Sequence, residues 1–175
     1  MFESCYHYPS GMITHHRTNL RDTEDACRSV LTRASMGRLG CSLENQPYVV
    51  PICFAYETDY IYVFSTLGQK IKWMRVNPKV CIQIDELTNQ FQWVSVIANG
   101  TYQELPEPQY ESERAHARKL LEKRSRWWLN ALAERRTRSR DDFIEPLFFR
   151  VHIVSLTGLC GRTEGEEGGA GPRHE

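Results

Sequence analysis

Three runs rich in β-branched and aromatic residues follow one another closely in the first half of this chain. They read RLGCSLE, PYVVPICFAY and YIYVFST, and only the short polar segments ENQ and ETD separate them. Connections this short join antiparallel strands into hairpins, because a parallel pair needs a crossover of a dozen or more residues. The centre of the chain therefore predicts an antiparallel sheet, closed or half closed as a small barrel, rather than a doubly wound α/β fold.

Further strands and three helices complete this predicted fold. VCIQID and QWVSVIANGTYQEL read as strands, with a bulge or sharp bend at Asn99-Gly100, and PLFFRVHIVSLTGLCG closes the sheet. A first helix runs from Thr23 to a cap at Gly37, and a second covers 69–77. A third, over 111–140, has Ala117, Leu121, Trp128 and Leu132 on one apolar stripe.

The length of 175 residues suits one domain with less structured ends. Residues 1–21 are polar and turn-prone, which is typical of an N-terminal arm lying over the body or a partner subunit. Residues 22–161 form the predicted domain. The tail 162–175 has almost no apolar content, so we expect it to be disordered.

Charge and cysteine usage bear on the compartment and on partners. The 22 basic and 22 acidic residues balance, so overall charge favours neither nucleic acid nor a membrane surface. The six cysteines are dispersed without a CxxC pair, which indicates reduced, core-filling thiols. No window approaches the ~18 apolar residues of a membrane helix and no leader pattern is present, so we expect a cytoplasmic protein.

The stretch FSTLGQK predicts a phosphate site. A strand ends at Phe64-Ser65-Thr66, Gly68 makes a turn, and a helix starts near Gln69. Unpaired N–H groups at a helix start attract anions, and Lys70 and the two hydroxyls would complete a cradle for a phosphate monoester. On these residues alone, a solvated lysine in an ordinary connection is the favoured interpretation.

Pro51 predicts an opening in the sheet. Proline cannot donate to a ladder, so YVVPICFAY must lie at an edge or at a gap between strands. A planar ligand with amide-like edges could bond to the main chain around Val50 and Ile52, with Phe54 and Trp93 covering its faces. An edge proline that only prevents aggregation explains the pattern as well.

Other kinds of site have weaker signals. His15 and His16 are adjacent and point to opposite sides of an extended segment, so we predict no metal site. Neither Gly-x-Ser-x-Gly nor HExxH occurs, so an enzyme built on this chain would rely on a cofactor. The basic face of 111–140, with Arg118, Lys119 and Lys123, could bind a polyanion, but interspersed acids make nucleic acid the minority reading.

An ordered set of motifs resembles one family. Y-V-V-P-x-x-F-A-Y, I-Y-V-F-S, G-x-K and N-P-x-V-C occur in this order between residues 48 and 81, and WVSVIANGTYQEL and LFFRVHIVSLTG follow. Together they resemble the pyridoxamine 5'-phosphate oxidase-like split-barrel superfamily, in its flavin-nucleotide-binding branch that includes nitroimidazole-resistance proteins. The resemblance spans most of 22–161.

The resemblance implies a mainly β fold, a six-stranded antiparallel split β-barrel with flanking helices, which forms a homodimer. It further implies two FMN sites at the subunit interface. The isoalloxazine would lie along the strand with Val50, Pro51, Ile52 and Phe54. The segment with Phe64, Ser65, Thr66, Gln69 and Lys70 would hold the phosphate. Trp93 and Ser95 would reach the flavin of the other subunit.

The resemblance also implies a flavin-dependent activity, but this chain departs from the vitamin B6 oxidases of the superfamily at several positions. Val49 and Phe54 stand where vitamin B6 oxidases place an Arg and a Lys, and their Ser-Arg-Lys phosphate motif is reduced to Gln69-Lys70. We therefore expect an FMN-dependent oxidoreductase that passes electrons from a nicotinamide donor to a small planar acceptor, and not a B6 oxidase. The alternative is a binding module for FMN, haem or a deazaflavin. No catalytic residue is assigned, although Tyr56 and the two adjacent histidines are candidates for a general acid.

Overall fold

The protein is a closed antiparallel β-barrel with three helices, seen in a computed structural model that describes residues 15–19, 24–87, 92–124 and 146–163. Its described strands are β1 (His15–Asn19), β2 (Met36–Leu43), β3 (Gln46–Glu57), β4 (Tyr60–Thr66), β5 (Lys79–Leu87), β6 (Trp93–Glu104) and β7 (Pro146–Thr163). Its described helices are α1 (Glu24–Arg33), α2 (Gln69–Val76) and α3 (Glu111–Glu122).

Six strands form the ring. Their order is β7-β4-β3-β2-β5-β6, and β6 pairs again with β7, so the sheet closes on itself. Every pair is antiparallel. The predicted mainly β fold with a six-stranded antiparallel barrel is confirmed. β1 was not predicted: it adds to β7 outside the ring, with His15 opposite Thr163.

Tight turns explain why the predicted hairpins form. Glu44 and Asn45, the two loop residues between β2 and β3, have positive φ values of 48° and 64°. A two-residue turn with two positive φ values has the twist that antiparallel strands need. Between β3 and β4 the loop is again two residues long, and its first residue, Thr58, has a positive φ of 58°. The expected succession of hairpins is confirmed.

A bulge interrupts the pairing of β6 with β7 where the sequence predicts one. The register shifts between Asn99 and Gly100, and the partners change from Ser155 to Ile153. Val154 is left without a position in the ladder and is 70% exposed. A Cβ on Gly100 would lie 2.4 Å from the carbonyl oxygen of His152, so the bulge needs glycine for close strand approach.

The barrel interior is the main core. Inward side chains from all six ring strands fill it, and its largest fully buried members include Phe54, Phe149, Leu39, Ile61, Ile82 and Ile84. Helices α1 and α2 add Leu31, Ile71 and Met74 to this core. Helix α3 lies outside the barrel, where Ala117 and Leu121 pack on Tyr62 and Phe148.

Two expectations for the helices change. Gly37 does not cap α1, which ends at Arg33, but lies in β2. A Cβ there would meet the carbonyl oxygen of Gln83 at 2.9 Å, so this glycine serves the contact between β2 and β5. The predicted stripe of α3 is seen for Ala117 and Leu121, whereas Trp128 and Leu132 lie outside the described residues.

The chain ends are described only in part. Of the expected arm, only the backbone of β1 is described. β7 continues to Thr163, and the rest of the tail lies outside the described residues. Among the helices that the structure describes, none is long and apolar enough to span a membrane.

Candidate functional site

Strand β3 has one open edge. Its residues Gln46–Cys53 pair with β2, but its ladder with β4 covers only Phe54–Glu57. Beyond that point β4 continues along β7, with Phe64 opposite Phe148. Within the described part of the chain, no strand pairs with the other edge of Gln46–Cys53. The barrel is therefore split between β3 and β4, at the opening expected from Pro51.

The ladder decides which main-chain groups face this opening. The Phe54 N–H donates to the Ser35 carbonyl on the β2 side at 3.1 Å. Alternate residues of an antiparallel strand bond to the same side, so Ile52 also bonds towards β2. Val49 and Pro51 direct their main-chain groups to the open edge. Proline fits there because no ladder bond is lost.

This result changes one expectation from the sequence. A ligand was expected to bond to the main chain around Val50 and Ile52. Those groups face β2, so the groups that can meet a ligand belong to the odd-numbered neighbours, Val49 and Pro51. The sequence does not show whether the odd- or the even-numbered residues face the open edge. That depends on which strand pairs with each edge of β3.

A small cavity of about 120 Å³ lies at the split. It is lined by Pro51, Ile52, Cys53, Phe64, Ser65, Lys70 and Leu121. Five of these are predicted site residues, contributed by β3, β4 and the first turn of α2. Leu121 of α3 was missed, because no sequence pattern shows where a helix distant in the chain will pack.

The polar side of this cavity is suited to an anion. Ser65 is 7% exposed, and its Oγ donates to the Thr66 carbonyl at 3.1 Å. The α2 N-terminus has no side-chain cap, since Gly68 precedes Gln69 there. Its first N–H groups, the Lys70 ammonium and the Ser65 hydroxyl lie at the same corner of the fold. A helix N-terminus with an added cation favours a phosphate group.

The turn before α2 was expected to require Gly68, but the backbone conformation at Gly68 does not. Its φ of −170° and ψ of −172° are those of extended backbone, which any residue adopts. A Cβ there would find the Thr66 carbonyl oxygen 4.0 Å away, which leaves room for a side chain. The turn itself therefore does not need glycine.

The remaining predicted residues lie at several places. Phe54 is fully buried in the barrel core, so its ring has no surface to offer a ligand at the opening. Val50 is half-buried and also packs against the core. Thr66 and Gln69 adjoin the cavity in the chain without lining it.

Trp93 and Ser95 lie on β6, away from β3 in the strand order. The ring of Trp93 covers Gly161, where a Cβ would come within 2.4 Å of its Nε1. The Ser95 hydroxyl donates to Asp85 Oδ1 at 3.0 Å. Asp85 also accepts from Gln83 at 2.9 Å and pairs with Arg38. The sequence gave no sign of this cluster, which joins three strands.

Tyr56, the candidate general acid, has a structural role. Its hydroxyl accepts a hydrogen bond of 2.6 Å from Arg28, which also donates to the Thr58 carbonyl and pairs with Asp59. This cluster holds α1 against the turn between β3 and β4. Tyr56 does not line the cavity at the split.

A second, larger cavity of about 600 Å³ is an open groove on the outside of the barrel. It crosses β2, β5 and β6 and is lined by Gly40, Cys41, Ser42, Pro47, Val49, Lys79, Val80, Cys81, Asn99, Gly100, Thr101 and Val154. Burial and the neighbouring Cys81 raise the pKa of the Cys41 thiol, and Lys70 partly opposes that rise. Lys70 therefore lies within electrostatic range of both cavities.

Comparison with known proteins places this architecture in a family. The family model for pyridoxamine 5'-phosphate oxidase matches residues 23–159, which is most of the chain. The chain belongs to the pyridoxamine 5'-phosphate oxidase family. A relative, protein RA0666 of Rhizobium meliloti (strain 1021), is 40% identical over 137 residues, covering 78% of this chain and 91% of the relative.

Solved structures agree with this membership. A protein of Mesorhizobium loti named as FAD-binding is 34% identical, with a TM-score of 0.65 over 85% of this chain and 98% of that one. A Bacteroides thetaiotaomicron protein named for 5-nitroimidazole antibiotic resistance shares the fold at 20% identity, with a TM-score of 0.62 over 93% and 98% of the two chains. The resemblance read from the motifs is confirmed.

Proposed function

We propose that this member of the pyridoxamine 5'-phosphate oxidase family binds a flavin at the split between β3 and β4. One observation carries the proposal. Ser65, Lys70 and the uncapped N-terminus of α2 lie together at one cavity, and this cavity adjoins the open edge of β3. A flavin nucleotide has an anionic phosphate and a planar ring with amide-like edges. The site offers a matching group for each part.

The size of the cavity suggests which part of a flavin it would hold and which part would lie outside it. About 120 Å³ suits a phosphate group but is well below the ~300–1,000 Å³ of complete ligand pockets. The ring would therefore lie along the open edge of β3, where Val49 and Pro51 direct their main-chain groups. We propose FMN as the cofactor, because one phosphate suffices for the cations found here. FAD, named for the Mesorhizobium loti relative, is the competing candidate.

The function supported best is that of a flavin-dependent oxidoreductase. A bound flavin supplies two-electron transfer between a nicotinamide donor and a small planar acceptor. The chain itself would bind the phosphate through Lys70 and orient the ring along β3. A site this open suits a homodimer in which Trp93 and Ser95 of a second copy complete it. We also propose a cytoplasmic location, in keeping with the free, buried thiols of Cys27 and Cys41.

Vitamin B6 oxidation fits the site less well. Where such oxidases place a cationic side chain on β3, Val49 presents an apolar one that is 62% exposed. The position of the second cation is taken by Phe54, which is buried in the core. A phosphorylated B6 substrate would lack both charges. We therefore propose a different, uncharged or apolar acceptor for the reaction beside the flavin.

The visible spectrum of the purified protein tests the proposal. Wild type, Lys70→Ala and Lys72→Ala are compared, since Lys72 is an exposed lysine of the same helix that does not line the cavity. We expect a flavin spectrum that only Lys70→Ala weakens, and chromatography of the released chromophore separates FMN from FAD. Anaerobic bleaching by reduced nicotinamide would support the oxidoreductase over a binding module. A colourless protein that takes up neither flavin would refute the proposal.

A further inference from the structure

A cluster of aromatic and polar side chains lies on the outer face of β4 and β7, at the end of the barrel where β4 begins. Tyr60 is opposite His152 in the ladder, and Tyr62 is opposite Arg150. Gln103 of β6 pairs with Arg150 from the other side. The residues between them along the strands are buried in the barrel core, so these five side chains share the outer face. They form the Arg150 cluster.

Arg150 is held in one orientation by its neighbours. Its Nε donates to Gln103 Oε1 at 2.7 Å, and its guanidinium lies over the ring of Tyr60, 4.5 Å from the centroid. The Gln103 amide is itself fixed, because its Nε2 donates to the Tyr110 hydroxyl at 3.1 Å. A guanidinium that is oriented before a ligand arrives loses little entropy on binding, so Arg150 is suited to recognising a ligand.

The charge of Arg150 is not balanced by an ion pair with any carboxylate that the structure describes. Bonds from Ser112 and from the main chain, and then the charge of Arg150, lower the pKa of Glu113, so this carboxylate is within electrostatic range only. Other arginines of the described chain do pair with carboxylates, namely Arg28, Arg33, Arg38, Arg75 and Arg114. A half-buried guanidinium without such a pair favours an anion from outside the chain.

The rings beside Arg150 offer a flat surface. His152 is exposed, and its ring centroid is 5.1 Å from that of Tyr60, with an angle of 36° between the ring planes. Arg150 and His152 are two positions apart on β7, so the imidazole is next to the guanidinium on the same face. A planar ring stacked on His152 would bring a carboxylate attached to that ring against the Arg150 guanidinium.

We propose that the Arg150 cluster binds a small aromatic carboxylate. The two carboxylate oxygens accept hydrogen bonds from the terminal nitrogens of Arg150, and the ring lies against His152 and Tyr60. The planar fork of one guanidinium matches the two oxygens of a carboxylate. β4 begins at Tyr60 and ends at Thr66 beside the split, so this site is about 20 Å from the proposed flavin site and does not depend on it.

Three matched ligands and a local NMR signal test the site. Benzoate is compared with benzamide, which keeps the ring without the charge, and with acetate, which keeps the charge without the ring. The readout is the imidazole proton signal of His152, identified by its absence in His152→Ala. The variants are Arg150→Met and Arg150→Lys. Arg118→Met is the control, because it also removes an arginine that lies over an aromatic ring, that of Phe148.

We expect benzoate to shift the His152 signal to saturation, and benzamide and acetate to bind about tenfold more weakly. Arg150→Met should weaken benzoate binding about tenfold, and Arg150→Lys should weaken it several-fold, because it keeps the charge and loses the fork. Arg118→Met should have no effect. Arg150→Lys decides the test if Arg150→Met does not fold. A His152 signal that benzoate leaves in place, equal affinity for benzoate and benzamide, or equal losses in the Arg150 and Arg118 variants would overturn the proposal.

The same titrations with and without saturating FMN separate this proposal from the proposed function. Benzoate binding that depends on Arg150 and is unchanged by FMN supports a site distinct from the split. The same binding in a protein that takes up no flavin would keep this site and refute the flavin proposal. Loss of the His152 shift when FMN is added would place benzoate in the flavin site and overturn the assignment to Arg150.

Discussion

Pro51 of β3 and Lys70 of α2 line the same small cavity, although a complete hairpin strand and a turn separate them in the chain. β4 links the two places: it leaves β3 after Phe54 and ends at Thr66, just before α2. The departure of β4 thus both opens the edge next to Pro51 and delivers the start of α2 to it. One change in strand pairing creates both halves of the candidate site.

The hydroxyl of Ser65 is predicted to serve the ligand more than the fold. It is buried, but its described bond goes only to the carbonyl of the next residue. Ser65→Ala should therefore lower FMN affinity several-fold, the effect of one hydrogen bond to a charged group, while changing the free energy of unfolding by less than ~1 kcal/mol. Flavin titration and urea unfolding measure the two quantities. A large loss of stability with unchanged affinity would contradict the assignment.

Two glycines should respond in opposite ways to alanine. Gly68 has extended backbone and open space at its Cβ position, so Gly68→Ala should change the free energy of unfolding by less than ~1 kcal/mol. At Gly100 the Cβ would overlap the His152 carbonyl oxygen and Val151, so Gly100→Ala should cost about 1–3 kcal/mol or more. Urea denaturation of both variants checks this. Equal effects would show that the bulge tolerates a side chain.

Leu121 is predicted to hold α3 over the cavity at the split. It is 2% exposed and packs with Ala117 and Phe148 while lining the cavity. Leu121→Ala should destabilise the protein by about 2–5 kcal/mol, because it removes packing and enlarges the cavity. Its half-buried neighbour Leu120 provides the control, for which the loss should be smaller. Thermal unfolding of both variants, each with and without FMN, is the measurement.

The ion pair between Glu104 and Arg75 should make the free energy of unfolding depend on pH in the acidic range. Its carboxylate accepts two bonds from Arg75, of 2.6 and 2.8 Å, and one of 2.8 Å from Tyr102. These bonds, Arg75 first, lower the pKa of Glu104 below its ordinary value of 4.5. The stabilisation is therefore complete above that value and is lost as pH falls through the lowered pKa.

Glu104→Gln tests this pH dependence. The variant should melt at a lower temperature than wild type near pH 7, and the two melting temperatures should converge as the solution is acidified below pH ~4. Glu122→Gln, at an exposed position of α3, is the control and should show no such convergence. A difference that stays constant over the whole range would mean that packing, and not charge, explains the effect of the substitution.

Local patterns in the sequence were enough to predict most elements of the fold. The hairpins from β2 to β4, the bulge at Asn99-Gly100 and helix α2 all depend on turn residues and periodicity within a few positions. By contrast, β1 was missed, because its pairing with the end of β7 joins opposite ends of the chain. Gly37 was read as a helix cap for the same reason, since its contact with β5 lies far away in sequence.

For the candidate site, the sequence shows which chemical groups are present. It does not show which way the side chains and the open strand edge face. Pro51, Ser65 and Lys70 carry their chemistry in the sequence, since a missing N–H, a hydroxyl and an ammonium are properties of the residues themselves. Which side of β3 stays open, that Phe54 points inward, and that Leu121 closes the cavity depend on strand pairing and helix packing. The sequence by itself determined the barrel and the chemistry at its split. Only the tertiary structure decided the groove beside Lys79, because its walls come from strands that meet when the ring closes.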